Sequence, residues 1–137
     1  LSGSWKATVT ATIPSGLEPM TSLITFIPGG AVIETRRLYI PNSPLGPLLE
    51  TQGHGQWVHT KNNEFQVSFV FLLQGAANNV SANGNALGTD NIRLWLSLNQ
   101  SSDQLTGTFV SNIKDITDNV IFTASGNYHA TLISAQQ

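Results

Sequence analysis

The chain contains no cysteine, which excludes disulfides, thiolate chemistry and cysteine-ligated zinc. Charge is scarce as well. Asp, Glu, Lys and Arg make up 10% of the residues, against roughly 25% in an average soluble domain. The six basic residues are scattered, only Arg36 and Arg37 are adjacent, and the formal net charge is −2. No basic face can be assembled from them, so neither nucleic acid nor an anionic membrane is an expected partner. No apolar run approaches the roughly 18 residues of a membrane-crossing helix, and no long segment carries a helical stripe. A Gly-x-Ser-x-Gly elbow, a phosphate loop and a dinucleotide fingerprint are also missing, as is any His-x-His or His-carboxylate spacing for a metal. No cofactor or metal is expected.

What polarity there is comes from Thr, Ser and Asn. Thr is β-branched and suits the solvated face of a pleated strand, so the composition points to β structure. At 137 residues the chain is expected to form one domain, 1–137, large enough to bury a core without staples. It begins at Leu1 rather than Met, as a processed exported protein does and as a trimmed chain does. With few charges and no thiols, this leans toward a secreted or periplasmic location. Asn79-Val-Ser81 and Asn99-Gln-Ser101 match the glycosylation triplet, which arises easily in a chain rich in Asn and Ser.

Apolar and polar residues alternate along nearly the whole chain. The pattern predicts strands near residues 4–13, 21–28, 31–40, 54–61, 64–73, 91–99, 105–113 and 119–132. Turn signals separate them at Pro14 to Pro19, Gly29-Gly30, Asn62-Asn63, Gln100 to Asp103 and Lys114 to Asp118. Two longer connections remain: Pro41 to Gly53, rich in Pro and Leu, and Gly75 to Asp90, which reads as a loop or a short helix. Eight antiparallel strands with short turns predict an all-β, eight-stranded antiparallel up-and-down barrel, which has no open edges. A sandwich of the same strands is the rival. The interior of such a barrel is filled by side chains or holds one small ligand.

Residues directly opposite in a hairpin share a face. A two-residue turn at Asn62-Asn63 sets Lys61 opposite Glu64, Val58 opposite Val67, Gln56 opposite Phe69 and His54 opposite Phe71. His54 and Gln56 then join the Phe-rich inner face, while Trp57 and His59 fall outside with Gln66 and Ser68. On the last three strands Ile92, Leu94, Leu96, Gly107, Phe109, Ile113, Ala124 and Tyr128 face inward. Arg93, Trp95, Val110 and His129 face outward. Trp5, Ala7, Val9 and Ala11 face inward from the first strand. Around Gly29-Gly30 two parities compete. The preferred one puts Ile24, Phe26, Ile33, Thr35, Arg37 and Tyr39 inside, with Thr25, Glu34 and Arg36 outside; a one-residue bulge reverses it. Small inner residues beside Phe69, Phe71 and Phe109 leave room for large neighbours or for a ligand.

The opening Leu-Ser-Gly-Ser-Trp-Lys, residues 1–6, resembles the Gly-x-Trp signature on the first strand of calycins, the lipocalins and their relatives. SLITFIPGGAVIET, GHGQWVHTKNNEFQVSFVFLL and DQLTGTF are similar to a group of small bacterial lipocalin-like proteins, in which a Gly-x-Gly-x-Trp strand precedes a Phe-rich one. The resemblance covers nearly the whole chain. It implies an eight-stranded barrel, open at one end on an apolar cavity and plugged at the other by Trp5. Lipocalins bring a basic residue over that Trp from the last strand; here the late position holds His129, whose parity faces outward.

Several polar residues are candidates for a site. Arg37 and Tyr39 would project toward the Phe-lined lumen. An arginine there is costly unless paired, and it would serve as a fork for a ligand carboxylate, pair internally, or sit at the mouth. His54 is a candidate base or a rim residue. Glu34 becomes a base only under the reversed parity, where an apolar lumen would raise its pKa; otherwise it pairs with Arg36 at the surface. The expected ligand-binding set is Arg37, Tyr39, His54, Gln56, Phe69, Phe71, Phe109 and Tyr128, with His54, Arg37 and Tyr39 as catalytic candidates. Outer-face Trp57, Val70, Trp95 and Val110 suggest a homo-oligomer contact.

Three functions compete. The first is a module binding one hydrophobic or amphipathic small molecule in the lumen. The second is a cofactor-independent cyclase or isomerase for a natural product, of the kind the calycin-type allene oxide cyclases represent, which needs shape and water exclusion more than a motif. The third is a purely structural or protein-binding barrel with a filled core.

Overall fold

The computed structural model of the chain describes residues 1–37, 39–40, 42–76 and 86–135. The side chain of Tyr39 and most of the Gly75 to Asp90 connection, including Asn79, lie outside the described residues. Ten strands follow in chain order: β1 (Gly3–Ile13), β2 (Met20–Phe26), β3 (Ala31–Thr35), β4 (Tyr39–Ile40), β5 (Leu48–Glu50), β6 (Gly53–Lys61), β7 (Glu64–Gly75), β8 (Gly88–Leu98), β9 (Gln104–Asp115) and β10 (Val120–Leu132). β1, β2, β3 and β6 to β10 form an antiparallel meander that closes when β10 pairs back onto β1. This is the up-and-down barrel the alternation predicts, and not a sandwich. The short β4–β5 hairpin is an addition from the Pro-rich connection. It is stitched to the end of β7 through Leu48–Gly75 and Glu50–Leu73 pairs. No helix among the described residues is long and apolar enough to cross a membrane.

The barrel wall answers which residues face inward. β1, β8, β9 and β10 follow the expected parity: Trp5, Ala7, Val9, Ile92, Leu94, Leu96, Phe109, Tyr128 and Ala130 are all buried. Two parities are corrected. In the β6–β7 hairpin His59 pairs with Phe65 and Lys61 with Glu64, so Thr60 is an extra residue in β6. This bulge inverts everything upstream of it. His54 and Gln56 therefore point outward and are exposed, while Trp57 joins the inner parity and packs edge-on against Phe26 and Phe65. In the β2–β3 hairpin Ile24 and Phe26 face inward as expected, but Phe26 pairs with Val32, leaving an odd five-residue connection, Ile27 to Ala31. Gly29 and Gly30 make it with φ of +102° and +111°, a conformation that costs glycine little. The inner residues of β3 are hence Val32 and Glu34, followed by Arg36; Ile33 and Thr35 lie on the other parity and Arg37 is exposed.

Gly55 has a packing reason to be glycine. A Cβ there would stand 2.5 Å from the Phe69 Cα and collide with the Ser68 carbonyl oxygen. A Cβ on Gly53 would meet the Phe71 ring at 2.8 Å. The missing side chains let the Phe69 and Phe71 rings, 5.5 Å apart and nearly perpendicular, lie across β6. At the end where β1 begins, Trp5 is buried and its indole nitrogen donates to the Ser2 carbonyl at 3.2 Å. A smaller apolar cluster of Leu48, Leu73 and Ile113 forms under the β4–β5 hairpin.

Candidate functional site

At the end of the barrel opposite Trp5, the inner face stops being apolar. Glu34 lies two residues beyond Val32, Asp90 two before Ile92, and Ser111 between Phe109 and Ile113, so each takes the inward side of its strand by alternation. Arg36 follows Glu34 off the end of β3, and the added hairpin contributes Glu50. All five are buried: Glu34 to 0%, Asp90 5%, Glu50 6%, Ser111 8% and Arg36 9% exposed. Arg36, Glu50, Asp90 and Ser111 line a cavity of about 510 Å³ whose apolar walls include Val9, Met20, Phe109, Ile113 and Phe122, with Glu34 behind Arg36. Its rim is made by Gly16 to Glu18 in the β1–β2 loop and Asn42 to Pro44 before β5, with exposed Arg37 beside them.

The cluster is organised around one cation. Arg36 Nε donates to Glu34 Oε1 at 2.6 Å, and a terminal guanidinium nitrogen pairs with the same oxygen. The guanidinium carbon lies 4.8 Å from the Phe71 ring centroid and 5.9 Å from that of Phe69, a favourable placement for a cation on an aromatic face. Burial works against the Arg36 charge, but Glu34, Asp90 and Glu50 outweigh it and hold the guanidinium protonated. Burial pushes the Glu34 carboxyl upward, with Arg36 pulling against it. Glu50 is pushed up to about 8, first by burial and then by the negative charge of Asp90, again against Arg36. Asp90 accepts a hydrogen bond from the Ser111 hydroxyl at 2.6 Å. Glu34 Oε2, Glu50 Oε2, Ser22 Oγ and Tyr128 OH are buried and make no well-formed hydrogen bond, although Ser22 lies close enough to influence both Glu34 and Tyr128, and Asp90 close enough to influence Glu50. Burial, followed by the charge of Glu34, drives the Tyr128 phenol upward, so it stays neutral.

Of the residues proposed from sequence, Phe109 lines this cavity and Phe69 and Phe71 back its arginine. Tyr128 is buried in the core, and Arg37 stands at the rim. His54 and Gln56 are on the outer wall, in a shallow groove of about 460 Å³ with Val70, Trp95 and Val110. The outer-wall quartet thus loses Trp57, which faces inward. The cluster Arg36, Glu50 and Asp90 was not among the candidates. Two signals were available: Asp90 continues the inward alternation of Ile92, Leu94 and Leu96, and the reversed parity of β3 puts Glu34 and Arg36 together. No protein-family model matches the chain, and comparisons with curated proteins and with solved structures give no significant match.

Proposed function

We infer that the protein binds one small amphipathic molecule in the cavity at the Glu50 end of the barrel. The observation that carries this reading is a cavity of about 510 Å³, within the range of roughly 300–1,000 Å³ typical of ligand pockets. It joins apolar walls to a buried carboxyl, Glu50, one oxygen of which makes no well-formed hydrogen bond. The ligand's apolar body would rest on Met20, Phe109 and Phe122, gaining about 25 cal/mol for each Å² removed from water. Its polar end would meet Glu50 and Asp90. The eight-stranded meander and the buried Trp5 after Gly3 support a calycin-like ancestry, and with it ligand binding at the end opposite the Trp. Exposed Val70 and Trp95 leave a wall on which a second copy would sit.

Native mass spectrometry of gently purified protein tests the reading. The expected result is an extra mass that leaves on denaturation, and that Ala124→Trp, which projects an indole into the cavity, abolishes while the fold persists. Retention of the extra mass by Ala124→Trp would overturn the assignment to this cavity, and its absence from every preparation would favour a filled barrel.

A second reading, a cofactor-free isomerase or cyclase, is favoured by one observation. Glu50 and Asp90 are neighbouring buried carboxyls of which Glu50 holds its proton near neutrality, an arrangement suited to general acid–base chemistry. On this reading the proton carrier is Glu50 rather than His54. Glu50→Gln would then stop conversion of the bound molecule while leaving it bound; the carrier reading expects the same molecule to be recovered unchanged from both proteins.

A further inference from the structure

The charges around the cavity do not balance. Arg36 is committed to Glu34, and no ion pair joins Glu50 or Asp90 to a cation among the described residues. Asp90 has the Ser111 hydroxyl. Glu50, only 6% exposed and lining the cavity, is set against Asp90: its Oε2 makes no well-formed hydrogen bond, and its side-chain partner is Asp90 while Glu50 holds its proton. Of the other charged residues at the cavity, Arg37 and Glu18 stand exposed at the rim with opposite signs. A buried carboxyl set against the Asp90 carboxylate is a poor seat for an anion, which would add a further negative charge to that wall. A neutral hydroxyl offers one proton and satisfies one oxygen; an ammonium has three donors and a charge. A metal ion is the other candidate, but among the described residues no three His, Asp or Glu side chains are grouped to hold one.

We propose that the ligand carries an ammonium group, seated between Glu50 and Asp90 with its apolar body on the Phe109 and Phe122 side of the cavity. This rests on the lumen-binding reading above. It also makes binding proton-coupled. The groups facing Glu50 are Asp90 from β8, Glu34 from β3 and Arg36 beyond β3. The two carboxyls oppose its ionisation and Arg36 favours it, and with burial they place it at about 8. At neutral pH Glu50 is therefore a carboxylic acid until an ammonium arrives. The cation then favours the carboxylate, the O–H bond breaks, and the proton leaves to solvent: COOH plus RNH3+ gives the COO−/RNH3+ pair plus H+. Binding tightens as pH rises from 6 to 8, because less proton has to be displaced.

The test is titration calorimetry of the whole chain with three probes sharing one cage: 1-aminoadamantane, 1-adamantanol and adamantane-1-carboxylate. Each is run at pH 6, 7 and 8, in buffers of different ionisation enthalpy. The amine is expected to bind about tenfold more tightly than the other two, to tighten with pH, and to release protons. Glu50→Gln removes the proton release and the pH dependence and costs the amine about tenfold, with a smaller change for the alcohol. Asp90→Asn, checked for fold by circular dichroism, also weakens the amine selectively. If the alcohol or the carboxylate matches the amine, the lumen reading stands and the ammonium inference falls. Amine binding unchanged in both variants overturns it too. Failure of all three probes to bind removes the lumen reading and this inference with it.

Discussion

The two ends of the barrel are built on the same strands and filled in opposite ways. At one end the inward positions hold Trp5, Ile24, Phe26, Leu96, Leu105 and Ala130, each no more than 2% exposed. Their side chains present one polar group, the Trp5 indole nitrogen, and it is hydrogen-bonded. At the other end the same alternation delivers Glu34, Asp90 and Ser111 inward, and Arg36 and Glu50 close the cluster. Three carboxyls stand there against one buried guanidinium, and two carboxyl oxygens, on Glu34 and Glu50, make no well-formed hydrogen bond. Strand register fixes which positions face in, whatever residue occupies them. A buried ionic cluster is a weak source of stability, so the apolar end is expected to carry the fold and the charged end the proposed site.

Two substitutions put that division to the test at its largest scale. Trp5→Ala should cost about 3–5 kcal/mol through lost burial and a cavity that the neighbours cannot fill. Arg36→Met alone should cost a comparable amount, about 3–5 kcal/mol, because it leaves Glu34 buried without its cation. The ends differ in rescue. Adding Glu34→Leu to Arg36→Met removes the stranded carboxyl and should recover most of the loss in urea unfolding. A double variant no more stable than the single would mean that the charged end also holds the barrel together.

A smaller effect comes from pH. The Glu50 carboxyl is raised from an ordinary value of 4.5 to about 8, so the folded state binds a proton that the unfolded state has given up between those limits. The associated stability is complete below the ordinary value and is lost as pH rises through about 8. The slope is about 1.4 kcal/mol per pH unit at most, and less to the extent that water reaches the open cavity. Glu34, raised by burial as well, acts in the same direction. Thermal unfolding should show the melting temperature falling from pH 5 to pH 8.5, and Glu50→Gln should flatten the fall. An equal slope in the two proteins would remove Glu50 as its source.

The sequence made the barrel legible because period-two alternation and short turns recur in all eight wall strands. It made the site only partly legible, for reasons of register. The extra Thr60 inverted β6, and the odd connection across Gly29 and Gly30 inverted β3; neither changes the local pattern of apolar and polar residues. Both inversions moved polar residues between faces: His54 and Gln56 outward, Glu34 and Arg36 inward. Glu50 was out of reach for another reason. It lies on a three-residue strand whose neighbours Pro44 and Pro47 read as loop, and only pairing with β7 makes it a strand.

The smallest effect is expected on the wall outside both ends. Val70 and Trp95 are each 41% exposed and share a shallow outer groove with half-buried Val110. On an isolated barrel, Trp95→Ser loses the covered half of an indole that is 41% exposed and should change unfolding free energy by about 1–2 kcal/mol, less than Trp5→Ala. Together with Val70→Lys it should give a monomer by equilibrium sedimentation, because a lysine and a serine replace the apolar centre on which a second copy would pack. If the unaltered protein self-associates through this wall, its melting temperature rises with protein concentration and the double variant's does not. A loss of several kcal/mol in the variant monomer would break the comparison differently. It would mean that the outer wall contributes to stability as the Trp5 end does, and that the division of labour runs between faces as well as between ends.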